Sequence, residues 1–565
     1  MVPLTDRPSP EVYRHPSSWE LALPPLTMPA MLEAAAARDP QAPLVDFFGR
    51  KFAYAAMLAE ARRFAAGLQA CGVGKGDRVG LFLPNVPIYI SAYYGAMMAG
   101  AIAVNFSPLY IAEELAQQVE DSGTQLLVTL DSARLLPTAL EVLEHSSLSR
   151  LVVGRLGEML PFGKRWLLAM FGRSQITPLP GRGDVTAWKR FLGSDEPAPV
   201  ALDAETDIAL LQYTGGTTGT PKGAMLTHQN LTANARQVDA IDPFRDDPDI
   251  ILGVLPLFHV FANTCVLNRT IRKGGCIVML PRFESNQVLK TIKRARPNSF
   301  PGVPTMYQAL LDNPKVAGTD FSSLRVCISG GAPLPQPLLE KFHQVTGAKL
   351  VEGYGLTESS GVVSTNPYDG GDRPGTIGQP IPETRIRLLD KEDAGSDPPP
   401  GEPGELAIAG PQIMQGYWNR PDAGVNIFVI RDGINWLRTG DVATIDTDGF
   451  IRIVDRMKDM IAVGGFKVFP SQIEHVLLQH DAVKEALVIG LPDPYRGETP
   501  AAFVTLNEEA EVAAEAIRIW TNQQIGKHEQ LSALTIRDEL PKTVIGKLDR
   551  KALRAEVLGG NEKGG

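Results

Sequence analysis

Cysteine is scarce in this chain of 565 residues: Cys71, Cys265, Cys276 and Cys327 are all it has, far apart, with neither C-x-x-C spacing nor a histidine cluster beside them. That pattern argues against a disulfide scaffold or a cysteine-ligated metal and predicts reduced core thiols in a cytoplasmic protein. No long basic block occurs either. With 55 Lys and Arg against 64 Asp and Glu, the net charge of −9 is spread along the chain, which gives nucleic-acid binding no support. Long hydrophobic runs are missing too. Val79 to Ala112 holds no charged side chain, yet Pro84, Asn85, Pro87, Gly95, Gly100, Asn105 and Pro108 interrupt it. No apolar run therefore approaches the roughly 20 residues that a bilayer span needs. The stretch from Met1 to Pro16 lacks the apolar region of a secretory signal, and Gly559 to Gly565 reads as a disordered tail without a peroxisomal tripeptide. Internal repeats and long low-complexity tracts are also absent.

What is present is ordinary globular composition, 44% hydrophobic and 21% charged, in enough chain for about three or four domains. The uncharged stretch predicts a strand (Val79 to Leu83), a buried small-residue helix (about Val86 to Ala99) and a second strand (Ala101 to Phe106). Similar buried strands, Gln125 to Leu130, Ile250 to Leu255, Cys276 to Leu280 and Leu324 to Ser329, alternate with helical stretches as far as about residue 360. That is the pattern of parallel sheets flanked by helices. From Gly375 to about Val454, short strands with glycine and proline turns predict a small β-barrel or antiparallel unit, with Asp448-Gly449 as a hairpin turn. A final unit carries a helix (Ser471 to Gln479) and a strand (Val483 to Ile489). The expected fold is α/β: a large N-terminal lobe (1–456) of two parallel-type α/β subdomains plus a small β-barrel, then a smaller mobile α+β C-terminal domain (457–565).

Chemistry concentrates first in Thr214-Gly215-Gly216-Thr217-Thr218-Gly219-Thr220-Pro221-Lys222-Gly223, which follows the strand-like run Ile208 to Tyr213. Glycines let backbone N–H groups converge on an anion, threonine hydroxyls add donors, and Lys222 adds a mobile positive charge. A flexible surface turn is the plain alternative. A Walker P-loop does not fit, because Thr220 and Pro221 separate Gly219 from Lys222 and Gly223 stands where Ser or Thr is required. The spacing is not G-x-G-x-x-G either.

Further motifs lie downstream. Gly353-Tyr354-Gly355-Leu356-Thr357-Glu358 combines close backbone approach, an aromatic face, a hydroxyl and a carboxylate, although Glu358 alone would pass for a helix-start acid. Gly331-Ala332-Pro333 closes a strand with small residues and leaves room for a flat ring, as a plain strand-to-helix turn also would. Asp441, in Arg438-Thr439-Gly440-Asp441, is followed past the hairpin by Arg456. A carboxylate there can accept both hydroxyls of a ribose, and the alternative is a turn with a surface salt bridge. The remaining motifs are Pro541 to Arg550 with Lys547, Gly464-Gly465-Phe466-Lys467 before a helix, and Leu255-Pro256-Leu257-Phe258-His259-Val260-Phe261. His259 has a packed structural histidine as its alternative.

Together, in this order, these motifs resemble the adenylate-forming superfamily of acyl-CoA synthetases, luciferases and peptide-synthetase adenylation domains, over roughly Ala34 to Leu553. The resemblance implies that Thr214 to Thr220 and Lys222 hold ATP phosphates, that Gly331, Ala332 and Pro333 wall the adenine, and that Tyr354 stacks on it between Gly353 and Gly355. It implies Thr357 on the α-phosphate, Glu358 on Mg²⁺, Asp441 and Arg456 on the ribose, and Lys547 as the catalytic lysine. Lys458 takes the hinge position, and Gly464, Gly465, Phe466 and Lys467 face coenzyme A. His259 is expected to sense or seat the substrate carboxylate.

The expected reaction joins a medium- or long-chain fatty acid to coenzyme A, with ATP, Mg²⁺ and no nucleic acid. Alternatives are a dicarboxylate (pimelate-type) or aryl acid, a carrier-protein acceptor, or a non-catalytic sensor of acyl groups or nucleotides. One segment falls outside these motifs. Leu160 to Arg173, with Lys164, Arg165, Trp166 and Phe171, is short, basic and aromatic. It reads as an insertion folded on its own domain, with peripheral contact at the inner face of the membrane near Lys164 to Phe171 as the other reading.

Overall fold

The computed structural model describes residues 6–193, 196–214, 221–244, 249–422, 427–464, 466–507, 510–543 and 547–560. The uncharged stretch forms strand Arg78–Leu81, helix Pro87–Met98 and strand Ile102–Asn105. Every residue of that helix is buried, so it has no polar face and its sequence shows none. Among the described residues no helix is long and apolar enough to cross a membrane.

The two strands join a seven-stranded sheet that is parallel except at one edge. There Ile208–Thr214 and Lys222–Thr227 pair antiparallel. A second sheet of nine strands has a parallel core made by Lys349–Tyr354, Val326–Ser329, Ser299–Gly302, Ile250–Gly253, Cys276–Met279 and Pro43–Phe47. One apolar core runs through both sheets. The four cysteines are unpaired, with Cys265 and Cys327 buried.

Where the sequence predicts a small β-barrel or antiparallel unit, the described residues form a five-stranded antiparallel sheet. In it Ile434–Ile445 pairs along one edge with Gly404–Ala409 and along the other with Phe428–Arg431 and then Ile451–Arg456. The Asp448-Gly449 turn joins two of these strands, with Gly449 at φ +79. Past the short helix Met457–Asp459, a separate five-stranded sheet packs helix Pro470–Leu477 over its own small core.

Exposed ion pairs link this last unit to the large lobe: Lys484 with Asp312 at 3.0 Å, and Lys467 with Glu392. Within the unit, Arg550 donates to Asp459 (2.8 Å), Glu474 (2.7 Å) and the Val488 carbonyl (3.0 Å). It thereby fastens the segment carrying Lys547 to the short helix that leads in from the lobe.

Candidate active site

The threonine-glycine segment connects one antiparallel strand to the next, not a strand to a helix as a P-loop does. Thr214 ends the first strand opposite Lys222, which opens the second, and the Thr214 hydroxyl donates to the Lys222 carbonyl at 3.4 Å. Gly215, Gly216, Thr217, Thr218, Gly219 and Thr220 lie outside the described residues. The second strand is bound to a distant segment through Met225 N–H to the Gly416 carbonyl (2.9 Å) and Trp418 N–H to the Gly223 carbonyl (2.8 Å). That pairing delivers Tyr417, whose ring centroid lies 5.3 Å from the Lys222 ammonium and whose hydroxyl donates to Glu358 at 2.5 Å. Burial and the Glu358 charge push the Tyr417 phenol well above its ordinary range, so it remains a donor. No motif contained Tyr417; the aromatic pair after Gly416 was its only trace in the sequence.

Tyr354 ends the strand Lys349–Tyr354, and the next residues turn sharply so that Thr357 and Glu358 open a short helix, Thr357–Ser359. The Tyr354 hydroxyl donates to Asp441 in a short hydrogen bond, and Arg456 Nε donates to the other Asp441 oxygen at 2.9 Å. Asp441 and Arg456 face each other across paired strands, which is why a motif and its partner fifteen residues on meet. Burial first, then the Asp441 charge, raises the Tyr354 phenol far above its usual value. The carboxylate in turn raises the Arg456 guanidinium.

Gly331 adopts φ +82, and a side chain there would meet Lys547 Cε at 2.6 Å. Glycine therefore clears the track along which the lysine enters. Lys547 is held by Thr543 at both backbone groups: its N–H donates to the Thr543 hydroxyl (3.1 Å), and its carbonyl accepts from the Thr543 N–H (2.7 Å). Burial and the Arg456 charge lower its ammonium to about 8, against an opposing pull from Asp441.

His259 lies in the same field. Burial and the Lys547 charge lower its imidazole to about 3, so it stays neutral at any working pH. The loop before it is pinned by buried amides that sequence reading missed. Asn85 donates to the Leu255 carbonyl and accepts from Leu257 N–H, both at 2.8 Å, and Gln212 donates to the Phe258 carbonyl at 2.9 Å. Ala332 and Pro333 follow Gly331, and Leu334 N–H donates at 3.3 Å to Glu352, a carboxyl that burial raises to about 8.

Lys458 sits in Met457–Asp459, its ammonium lowered by burial and Arg456 while Asp459, Asp441 and Glu358 pull the other way. The expected coenzyme A segment is elsewhere. Gly464 turns at φ +57, and Lys467 is tied to Glu392 at the surface. Gly465 and the Phe466 side chain lie outside the described residues.

Among the described residues no three His, Cys, Asp or Glu side chains converge as a metal cage. A nucleotide-borne Mg²⁺ fits this donor set, since Glu358 supplies one hard oxygen and phosphate the others.

The AMP-binding enzyme family model matches residues 32–418, and the AMP-binding enzyme C-terminal domain matches 472–547. The chain belongs to this family, and its class is that of the AMP-forming acid–thiol ligases. A long-chain-fatty-acid–CoA ligase of Bacillus subtilis (strain 168) is 39% identical over 542 residues, 95% of this chain and 96% of that one. Among solved structures, ATP-bound MatB from Rhodopseudomonas palustris matches with TM-score 0.81 and 28% identity over 94% of this chain and 98% of its own. The anthranilate CoA ligase AuaEII in complex with anthranoyl-AMP matches with TM-score 0.83 and 26% identity over 96% and 99%.

The alkaline side of the pH profile tests the lysine. The Lys547 ammonium loses its charge as pH rises through about 8. The free-enzyme rate constant kcat/KM for adenylation is therefore expected to fall above that pH, with no acid limb from His259. Lys547→Arg should lift the alkaline limb. A limb that persists unchanged would show that Lys547 is not its source.

Proposed function

We propose that this chain activates a medium- or long-chain fatty acid and transfers it to coenzyme A. In the first half-reaction the substrate carboxylate attacks the α-phosphorus of Mg-ATP, giving acyl-adenylate and pyrophosphate. In the second, the thiol of coenzyme A loses its proton and attacks the acyl carbon, forming the thioester and releasing AMP. No side-chain nucleophile is required, because the substrate carboxylate is itself the nucleophile.

The observation that carries this reading is Lys547, brought from the C-terminal unit across Gly331 into the field of Asp441, Arg456 and His259. Its charge offsets the negative charge that builds as carboxylate meets phosphate. Tyr354 takes the adenine face, Asp441 and Arg456 the ribose, Thr357 the α-phosphate, and the Thr214 to Lys222 segment the phosphates that leave. Glu358 holds Mg²⁺ and is itself oriented by Tyr417. Residues 1–456 form the adenylating unit and 457–565 the mobile one, with Lys458 at the hinge; after adenylation Gly464 to Lys467 turn toward coenzyme A. Fatty acids are favoured over dicarboxylates and aryl acids by the near full-length similarity to fatty-acid ligases.

A panel of fatty, dicarboxylic and aryl acids, assayed by acid-dependent ATP–pyrophosphate exchange and CoA-dependent AMP release, tests it. Fatty acids should give the highest kcat/KM. If no acid supports exchange while the folded protein binds ATP, the ligase reading is wrong. Glu358→Gln should raise the Mg²⁺ needed for half-maximal exchange by at least about tenfold, the low end for disturbing a metal's surroundings; an unchanged requirement would place the cation elsewhere.

A further inference from the structure

The segment from Leu160 to Arg173 contains a ten-residue helix, Phe162–Phe171, none of whose residues is buried. Phe162 is 86% exposed, Phe171 75%, Met170 56%, Trp166 53% and Leu167 51%. Successive residues turn by about 100°, so these five occupy one half of the helical cylinder. Leu168 lies on the other half, between Lys164 and Arg165, and is the one residue of the helix that is partly covered where the rest are exposed. One of its methyl groups lies against Gly157. Amphipathic helices of globular proteins turn their apolar arc inward. This one is inverted: the apolar arc faces solvent, while Leu168 and Lys164 face the protein. The helix still rests on its own domain through Leu168 and Lys164, and it is the outward apolar arc that lacks a partner among the described residues.

Charge identifies the occupant. Lys164 lies 4.6 Å from the Phe48 ring centroid, and Arg50 donates to the Glu158 and Leu160 carbonyls at the base of the helix. Arg155, Arg165 and Lys189 are exposed nearby, with Glu158 as the acidic residue among them, 3.5 Å from Lys189. An apolar arc carrying Trp and Phe inside a basic collar suits the boundary between headgroups and acyl chains in an anionic bilayer.

We propose that Phe162–Phe171 docks the protein on an anionic lipid surface, inserting Phe162, Trp166, Leu167, Met170 and Phe171 while Lys164, Arg165 and Arg50 meet the headgroups. Its use rests on the fatty-acid reading, since long-chain acids partition into bilayers, but its test does not. The full chain is sedimented with vesicles of phosphatidylcholine containing about one-third phosphatidylglycerol and with vesicles of phosphatidylcholine alone. The wild type should pellet with the anionic vesicles, several-fold less with the neutral ones, and less in high salt.

The double variant Trp166→Ser/Phe171→Ser should lose at least tenfold in partition, and Lys164→Glu/Arg165→Glu should lose the preference for anionic lipid. Both variants should keep the wild-type melting temperature and exchange rate with a water-soluble short-chain acid. Wild type that stays in the supernatant, or a double variant that pellets equally, overturns the proposal. So does a dimer in lipid-free buffer that the double variant abolishes, because the face then belongs to a second copy. Wild type that binds vesicles but activates no acid overturns the function above and leaves the docking intact.

Discussion

Lys547→Ala is expected to lower acid-dependent ATP–pyrophosphate exchange by at least about 10²–10³, the usual cost of removing one preorganised group that meets developing charge. Thiolation of a supplied acyl-adenylate should persist near the wild-type rate. The split follows from where the lysine comes from. Gly331, His259, Asp441 and Arg456 belong to the large lobe, whereas Lys547 belongs to the C-terminal unit, fixed by Thr543 and, three residues on, by Arg550. Its presence at the site is a property of one domain geometry, and that geometry is held at the surface by weak ties. Lys484 with Asp312 and Lys467 with Glu392 are exposed pairs, of the kind that contribute roughly 1 kcal/mol or less each. In the proposed domain movement these two pairs would offer little resistance, and Lys467 would be freed from Glu392. Equal loss of both half-reactions in Lys547→Ala would mean that the lysine anchors the domain and does not stabilise the first transition state.

Much of this site was legible because each motif is local and its chemistry is written in adjacent residues. Gly353 to Glu358 carries its turn, ring, hydroxyl and carboxylate within six positions, and the Asp441 and Arg456 motifs meet because a hairpin folds one onto the other. The buried helix Pro87–Met98 was legible for a different reason: glycine and proline interrupt its apolar run before it reaches membrane length. What escaped notice depends on contacts between distant segments. Tyr417 reaches Glu358 only because 416–418 lies along the strand Lys222–Thr227, and Asn85 holds the His259 loop from 170 residues away. Glu352 looks like any strand residue until burial turns it into a weak acid. The helix Phe162–Phe171 shows why composition alone was ambiguous. Its spacing is that of an ordinary amphipathic helix, and only the position of Leu168 against Gly157 reveals which side faces the protein.

Gly355→Ala is expected to abolish measurable adenylation and to lower Tm, although it adds a single methyl group. A Cβ at Gly355 would stand 1.7 Å from the Gly361 carbonyl oxygen, 2.6 Å from its carbon and 3.0 Å from Val362 Cα. All three are backbone atoms, so no rotamer change relieves the clash. The opposing strand of the turn cannot retreat easily either: Thr264 donates to the Ser360 carbonyl at 2.5 Å, and the Ser360 hydroxyl donates to the Gln412 carbonyl at 2.8 Å. Overpacking that side chains can absorb costs about 1–3 kcal/mol, and a backbone collision in a clamped turn should exceed that range. The displaced segment lies between Tyr354 and Glu358, so the pairing of Tyr354 with Asp441 and that of Glu358 with Tyr417 cannot both survive. Gly353→Ala is the control. Its Cβ would meet Ser364 O and Thr365 Oγ1 at 3.5 Å, ordinary contact, so its Tm should stay close to wild type. A Gly355→Ala protein that keeps wild-type exchange and melting would show that the 355–361 turn yields, and that the spacing of Tyr354 and Glu358 is not what the glycine protects.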